Sequence, residues 1–223
     1  MDHLVTGFNK LIIKKKGAAP ANFFIECNEE TKIEDISLLK KGFFDGDILG
    51  CVFCKQINGD LMAECYNFKF FDILFNRIKP EYFPQMVNVN AIIETKDKNG
   101  EEYILLIKRE KEVYSYPEYW DFPAGLVPYD TELKERLFNR VEKDLGLSSE
   151  QLSLSPQPSF LVTREKFFCL YYLINNNISK EEMEELVKNN SPEREIIFVK
   201  KSEITKFLED CDKIFPRFLG SVF

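Results

Sequence analysis

The sequence holds a single histidine, His3, near its start, which nearly removes histidine-based triads and histidine metal sites from consideration. Glycine and proline number only ten each in 223 residues, while 21 Phe and 9 Tyr can fill a sizeable core, so collagen-like and disordered chains are excluded. The length suits one medium-sized domain, or a core domain with a smaller extension. Long apolar runs are missing. Phe68 to Phe75 is interrupted by Lys69 and Asp72, far short of the roughly 18–20 residues a membrane helix needs, so no membrane partner is expected. No apolar stretch or small-residue cleavage site follows the first basic residues, so a secretory signal is not expected and a cytoplasmic address follows by default. Positive charge is also in deficit: the net charge is −7 and the pI near 5.1. Phosphate contacts need clustered Lys and Arg, so this balance argues against a nucleic-acid partner, and Lys14-Lys15-Lys16 reads as a solvated segment.

Cysteines stand at 27, 51, 54, 65, 169 and 211, and Cys51-x-x-Cys54 is the only close pair. Asn58-Gly59 separates Ile48–Ile57 from Leu61–Phe68, the strongest short-range signal for a two-residue hairpin. Residues three apart on a strand point to opposite faces, so Cys51 and Cys54 are expected to be ordinary half-buried thiols rather than a metal or redox pair. Helical spacing marks Ile33–Lys40, and Phe71–Phe75 reads as a short helix. Pro80 and Pro84 then punctuate the chain, dividing an N-terminal α+β extension, 1–84, from a second domain, 85–223.

From Val87 the pattern is strand, Asn99-Gly100 turn, and strand to Lys108. Trp120-Asp121-Phe122-Pro123-Ala124-Gly125 is a short aromatic strand ending at a glycine. A polar stretch then leads to a helix with Leu133, Leu137, Phe138, Val141 and Leu145 on one face. Asp130 or Thr131 can cap its start and Gly146 can stop it.

Gly125 to Leu147 resembles the Nudix box, G-x5-E-x7-R-E-U-x-E-E-x-G-U with U apolar. Gly125, Val141, Gly146 and Leu147 fall on its first Gly, first U, last Gly and last U without a gap. Leu105-Leu106-Ile107-Lys108-Arg109 and Trp120–Gly125 are similar to the segments that precede the box in that family. The resemblance covers about 87–210 and implies an α/β Nudix fold, a mixed sheet packed between helices as an α/β/α sandwich. It also implies chemistry on a diphosphate linked to another group, with Mg²⁺ or Mn²⁺ held by the box carboxylates.

The box is degenerate. Its loop Glu position is Thr131, its Arg position is Asn139, and its three helical ligand positions are Arg140, Lys143 and Asp144, so Asp144 is the only retained metal-ligand position. A divalent cation needs hard anionic oxygens, and Arg140 and Lys143 repel it. Glu132, Glu135 and Glu142 project from other parts of the helix surface at 100° per residue and do not replace the missing ligands. A frame shifted by one residue would place Glu142 at an apolar core position and is rejected.

Three readings follow. In the first, the chain recognises a nucleotide or other diphosphate-containing small molecule with hydrolysis weak or lost and no cofactor. Arg109, Arg136, Arg140 and Lys143 then supply the positive charge and Gly125, Thr131 and Asn139 the loop. In the second, it is a Nudix-type pyrophosphohydrolase using Mg or Mn, with Asp144 and Glu193 as its carboxylates. In the third, it is a protein-interaction scaffold or a homodimer, its N-terminal part and the apolar tail Ile214 to Leu219 covering a partner or a second copy. Beside these stands a plain alternative in which Glu132, Arg136, Arg140 and Asp144, four apart, form only a surface ladder of ion pairs. Trp120 is expected to pack beneath the loop, and Glu193 and Glu195 to precede the closing strand.

Overall fold

The computed structural model describes residues 3–25, 45–113, 116–164 and 166–214. The helix expected over 33–40 and the tail beyond Ile214 lie outside them. In chain order the strands are β1 (His3–Val5), β2 (Leu11–Ala18), β3 (Asp47–Ile57), β4 (Asp60–Lys69), β5 (Gln85–Lys96), β6 (Glu102–Lys108), β7 (Trp120–Asp121), β8 (Ala124–Leu126), β9 (Leu152–Leu154), β10 (Phe160–Arg164), β11 (Phe167–Asn176) and β12 (Ile196–Lys200). The helices are α1 (Phe70–Leu74), α2 (Leu133–Leu145), α3 (Lys180–Asn190) and α4 (Ile204–Asp210). This is the α/β class expected, a mixed sheet with few helices: β2 runs parallel to β4, while β3–β4 and β6–β12 are antiparallel.

The chain divides into two compact units. One comprises Met1–Asn88, Leu126–Glu132 and Phe160–Leu170; the other comprises Val89–Gly125, Leu133–Ser159 and Tyr171–Phe223.

In the first unit the expected hairpin is present. Asn58 and Gly59 take φ values of +52° and +84°, the left-handed pair that a two-residue turn requires to match strand twist. A side chain on Gly59 would also collide with the Asn9 amide, 2.4 Å away. Between Cys51 and Phe53 the β3–β4 register slips by one residue, a β-bulge. Phe23, Ile48, Phe68, Ile73, Ile78 and Met86 form a buried cluster, with Phe23 stacked on Tyr82 at 4.3 Å between ring centroids. Lys14, Lys15 and Lys16 lie exposed on β2, an outer strand, where lysines discourage pairing with another chain.

In the second unit β6 is paired with β5, β7 and β12, and β9 with β11. Ile104 to Ile107 are buried in succession, as a strand covered on both faces must be. On α2, Leu137, Val141, Asp144 and Leu145 are buried, one face of a 3.6-residue period that includes a carboxylate. The helix begins at Leu133 rather than Thr131, because the Thr131 N–H is taken by Pro128 O in a preceding turn, at 3.1 Å. It stops as expected. Gly146 takes φ +70° and donates its N–H to Glu142 O at 2.8 Å. Pro156 and Pro158, unable to donate to a ladder, stand between β9 and β10. Helix α3 was not anticipated. Ser179 and Glu182 form a reciprocal capping box at its start, and Met183 and Val187, four apart, are its buried residues.

Candidate functional site

Of the candidate site residues, Thr131 belongs to the first unit and the others to the second. Gly125 precedes α2, and the stems of two arginines rest against it. A Cβ built there would lie 2.8 Å from Arg140 Cγ and 3.0 Å from Arg136 Nε, so the glycine is what lets the loop approach these side chains. One helical turn separates Arg136 from Arg140 and another separates Arg140 from Asp144, which sets all three on one flank.

Asp144 is the centre of the arrangement. Its side chain is fully buried, and Arg140 Nη2 donates to both carboxylate oxygens, at 3.0 and 2.8 Å. Arg194, four residues after the end of α3, reaches the same carboxylate, its Nη2 lying 3.1 Å from Asp144 Oδ1. That nitrogen carries two hydrogens and also contacts Glu110 Oε1 at 2.8 Å. The Arg194 side chain is itself largely covered, with 9% exposed. Burial raises the Asp144 pKa, while Arg140, Arg194 and Lys143 pull the other way. Hydrogen bonding to Arg194 holds Glu110 below the ordinary glutamate value, against the opposing effect of desolvation, and the fields of Arg194, Lys143 and Arg140 add to it. Burial, and then repulsion by Arg140, lower the Arg136 pKa, with Asp144 opposing.

Of the helix ladder, Arg140–Asp144 is an ion pair, and Glu132 pairs with Lys15 at 3.4 Å. The former is buried, unlike the solvated ladder considered from the sequence. Arg109, just beyond β6, is held by Asp121, whose Oδ2 lies 3.0 Å from Arg109 Nη1 and whose Oδ1 accepts the Phe122 N–H at 2.8 Å. Lys108 pairs with both oxygens of Glu195, at 3.1 and 2.9 Å, and its ammonium lies 6.0 Å from the half-buried Trp120 ring. Trp120 N–H donates to Lys213 O at 2.9 Å. Asn139, Lys143 and Glu193 are exposed. Glu110 and Arg194 were missed in the sequence because neither lies in the box. The one available signal was charge close to the candidate base Glu193.

These residues do not fit a divalent cation. The Asp144 carboxylate has its oxygens engaged by two guanidinium groups, and Lys143 adds further positive charge around it. Among the described residues, no group of three or more His, Cys, Asp or Glu side chains could hold a metal ion.

The Cys51–Cys54 expectation is corrected in its reasoning. Cys51 faces Cys65 and Cys54 faces Ala63, partners two residues apart, so the bulge returns the two thiols to the same face. Hydrogen bonding to Cys65 and burial raise the Cys51 pKa, and burial pushes Cys54 up to about 12. Both are thiols at neutral pH, poor as nucleophiles and metal ligands.

No family model matches the sequence, and no curated protein matches it. Among solved structures, the chain is similar to NrtR from Shewanella oneidensis at 11% identity and a TM-score of 0.44, covering 61% of each chain. It therefore spans about three fifths of the length of that protein. It is similar to the Ap4A hydrolase of C. elegans at 14% identity and a TM-score of 0.41, covering 62% of this chain and 92% of that one. A mutT/nudix family protein from Listeria innocua is 18% identical with a TM-score of 0.43, over 54% of this chain and 82% of that one. A further NrtR structure is a complex with a 27mer DNA. These likenesses are partial and of low identity. Among the described residues, no helix is long and apolar enough to cross a membrane.

Proposed function

We propose that the second unit recognises a diphosphate-containing small molecule, such as a nucleotide, through the cations of α2, with Mg²⁺-dependent hydrolysis weak or lost. The observation that carries this reading is the cluster of cations gathered around Asp144 on the flank of α2. Arg136, Arg140, Lys143 and Arg194 all interact electrostatically with Asp144, and Arg140, Lys143 and Arg194 also with Glu110. In a metal-dependent site the cation brings positive charge to the diphosphate. Here the chain brings it covalently. Arg presents a planar fork and Lys a mobile point charge, both matched to phosphate oxygens. Asp144 fixes Arg140 and Arg194 in place, and its burial keeps that pairing away from competing water. With no side chain at Gly125, the backbone there lies close to the stems of Arg136 and Arg140.

The test is calorimetric titration of inorganic pyrophosphate and, separately, ADP into wild type, Lys143→Ala and Arg136→Ala, with a chelator present. A charge-assisted contact contributes roughly 1.5–3 kcal/mol, so each variant should bind about tenfold or more weakly, with affinity falling as salt rises. Lys143 gives the cleaner comparison, because its removal leaves the Arg140–Asp144 pair intact. Saturable Mg²⁺ binding and Mg²⁺-dependent hydrolysis of a nucleotide panel, both lost in Asp144→Asn, would overturn the reading and restore the enzyme.

A further inference from the structure

We propose that Glu110 is an internal counter-ion of the anion site, holding by its own carboxylate the position on Arg194 that a phosphate oxygen of the ligand would take, and leaving it when the ligand binds. The inference rests on the diphosphate reading above. Glu110 follows the end of β6 by two residues, in the loop after Lys108 and Arg109, so it comes from a different element than the cations it faces. Its Oε1 lies 2.8 Å from Arg194 Nη2. The Glu110 side chain is 53% exposed, while its Arg194 partner is 9% exposed.

This asymmetry distinguishes the two carboxylates of the cluster. Asp144 is fully buried and bound to two guanidinium groups, so it is a fixed part of the site. Glu110 is half in water and is held by one nitrogen that Asp144 also uses, so it can depart while Arg194 remains anchored. Lys143 and Arg140 add their fields at its carboxylate, so Glu110 sits where several cations of the cluster act together. A carboxylate and a phosphate oxygen are interchangeable acceptors for a guanidinium nitrogen, and two anions cannot share it without repulsion. The side chain therefore screens the site against weak monovalent anions. A diphosphate, with more charge and more oxygens, displaces it.

The test compares wild type with Glu110→Gln and Glu110→Ala in the titrations of pyrophosphate and ADP with chelator. Glu110 is exposed enough for both variants to fold. Removing the competing charge should tighten binding about tenfold in each variant, for pyrophosphate, for ADP, or for both. ADP alone would mark the diphosphate as one carried on a nucleoside. In wild type, the ¹³C resonance of the Glu110 carboxyl should move as ligand is added, a change that a merely structural residue would not show. Wild-type affinity in both variants would overturn the Glu110 proposal and leave the diphosphate reading standing. No binding by any of the three proteins would overturn both.

Discussion

Asp144→Ala is the substitution whose consequence differs most sharply between a relic helix and a built site. It removes a fully buried carboxylate that accepts from Arg140 at 2.8 and 3.0 Å and from Arg194 at 3.1 Å. Breaking a buried ion pair by deleting one partner costs about 3–5 kcal/mol, because the surviving charge stays in a low-dielectric surround. The two survivors are not equally trapped. Arg140 retains 21% of its side-chain exposure and can turn toward water, whereas Arg194, at 9%, is left with Glu110 as its contact. The loss should therefore fall near the lower end, about 3 kcal/mol. With a urea dependence of about 2–3 kcal/mol per molar for a chain of this size, the unfolding midpoint should drop by roughly 1 M. Urea melts of wild type, Asp144→Ala, Arg194→Met and the double variant would measure it. The double variant should lose clearly less than the sum of the singles, by at least about 1 kcal/mol of coupling. A change under about 0.5 kcal/mol for Asp144→Ala, or a gain in stability, would refute the reasoning, for it would mean that both arginines are solvated in the folded chain.

Two other outcomes follow from the same geometry. Gly125→Ala should cost about 1–3 kcal/mol by urea melt, because the new methyl group would press within 2.8 Å of Arg140 Cγ, and it should weaken pyrophosphate binding alongside. Glu110 is held below the ordinary glutamate value by Arg194, so its contribution is present above the unfolded pKa and is lost as pH falls through the folded one. Acid melts of wild type should thus show a stability loss in that window which Glu110→Gln lacks.

Much of the second unit was legible because its signals are local. The Asn99-Gly100 turn, the stripe of Leu137, Val141 and Leu145, and Gly146 at φ +70° each follow from neighbouring residues. The capping box at Ser179 and Glu182 was equally local and was available to be read. The site itself was legible only in part. Spacing on a helix shows that Arg140 and Asp144 can meet, and they do. It carries no information on burial, so a solvated ladder and a buried pair look alike until the sheet is known. Arg194 lies 50 residues from Asp144 and Glu110 lies 34 before it, and only the tertiary path joins them. Periodicity failed in the other direction at Cys51 and Cys54, where alternation assumes an unbroken strand and the chain has inserted a residue.

That inserted residue shows how β3 is measured. One end of the strand is set by the Asn58–Gly59 turn, which fixes Ile57 opposite Asp60. The other end is set by Gly50 against Met86 and Cys51 against Cys65. Counting from the two ends gives answers that differ by one, and Val52 is the remainder. The bulge acts as an expansion joint, letting two rigid references coexist on one strand. Deletion of Val52 should therefore leave the turn and the β5 pairing in place, whereas an insertion elsewhere in β3 would have to move one of them and carry every side chain beyond it to the opposite face.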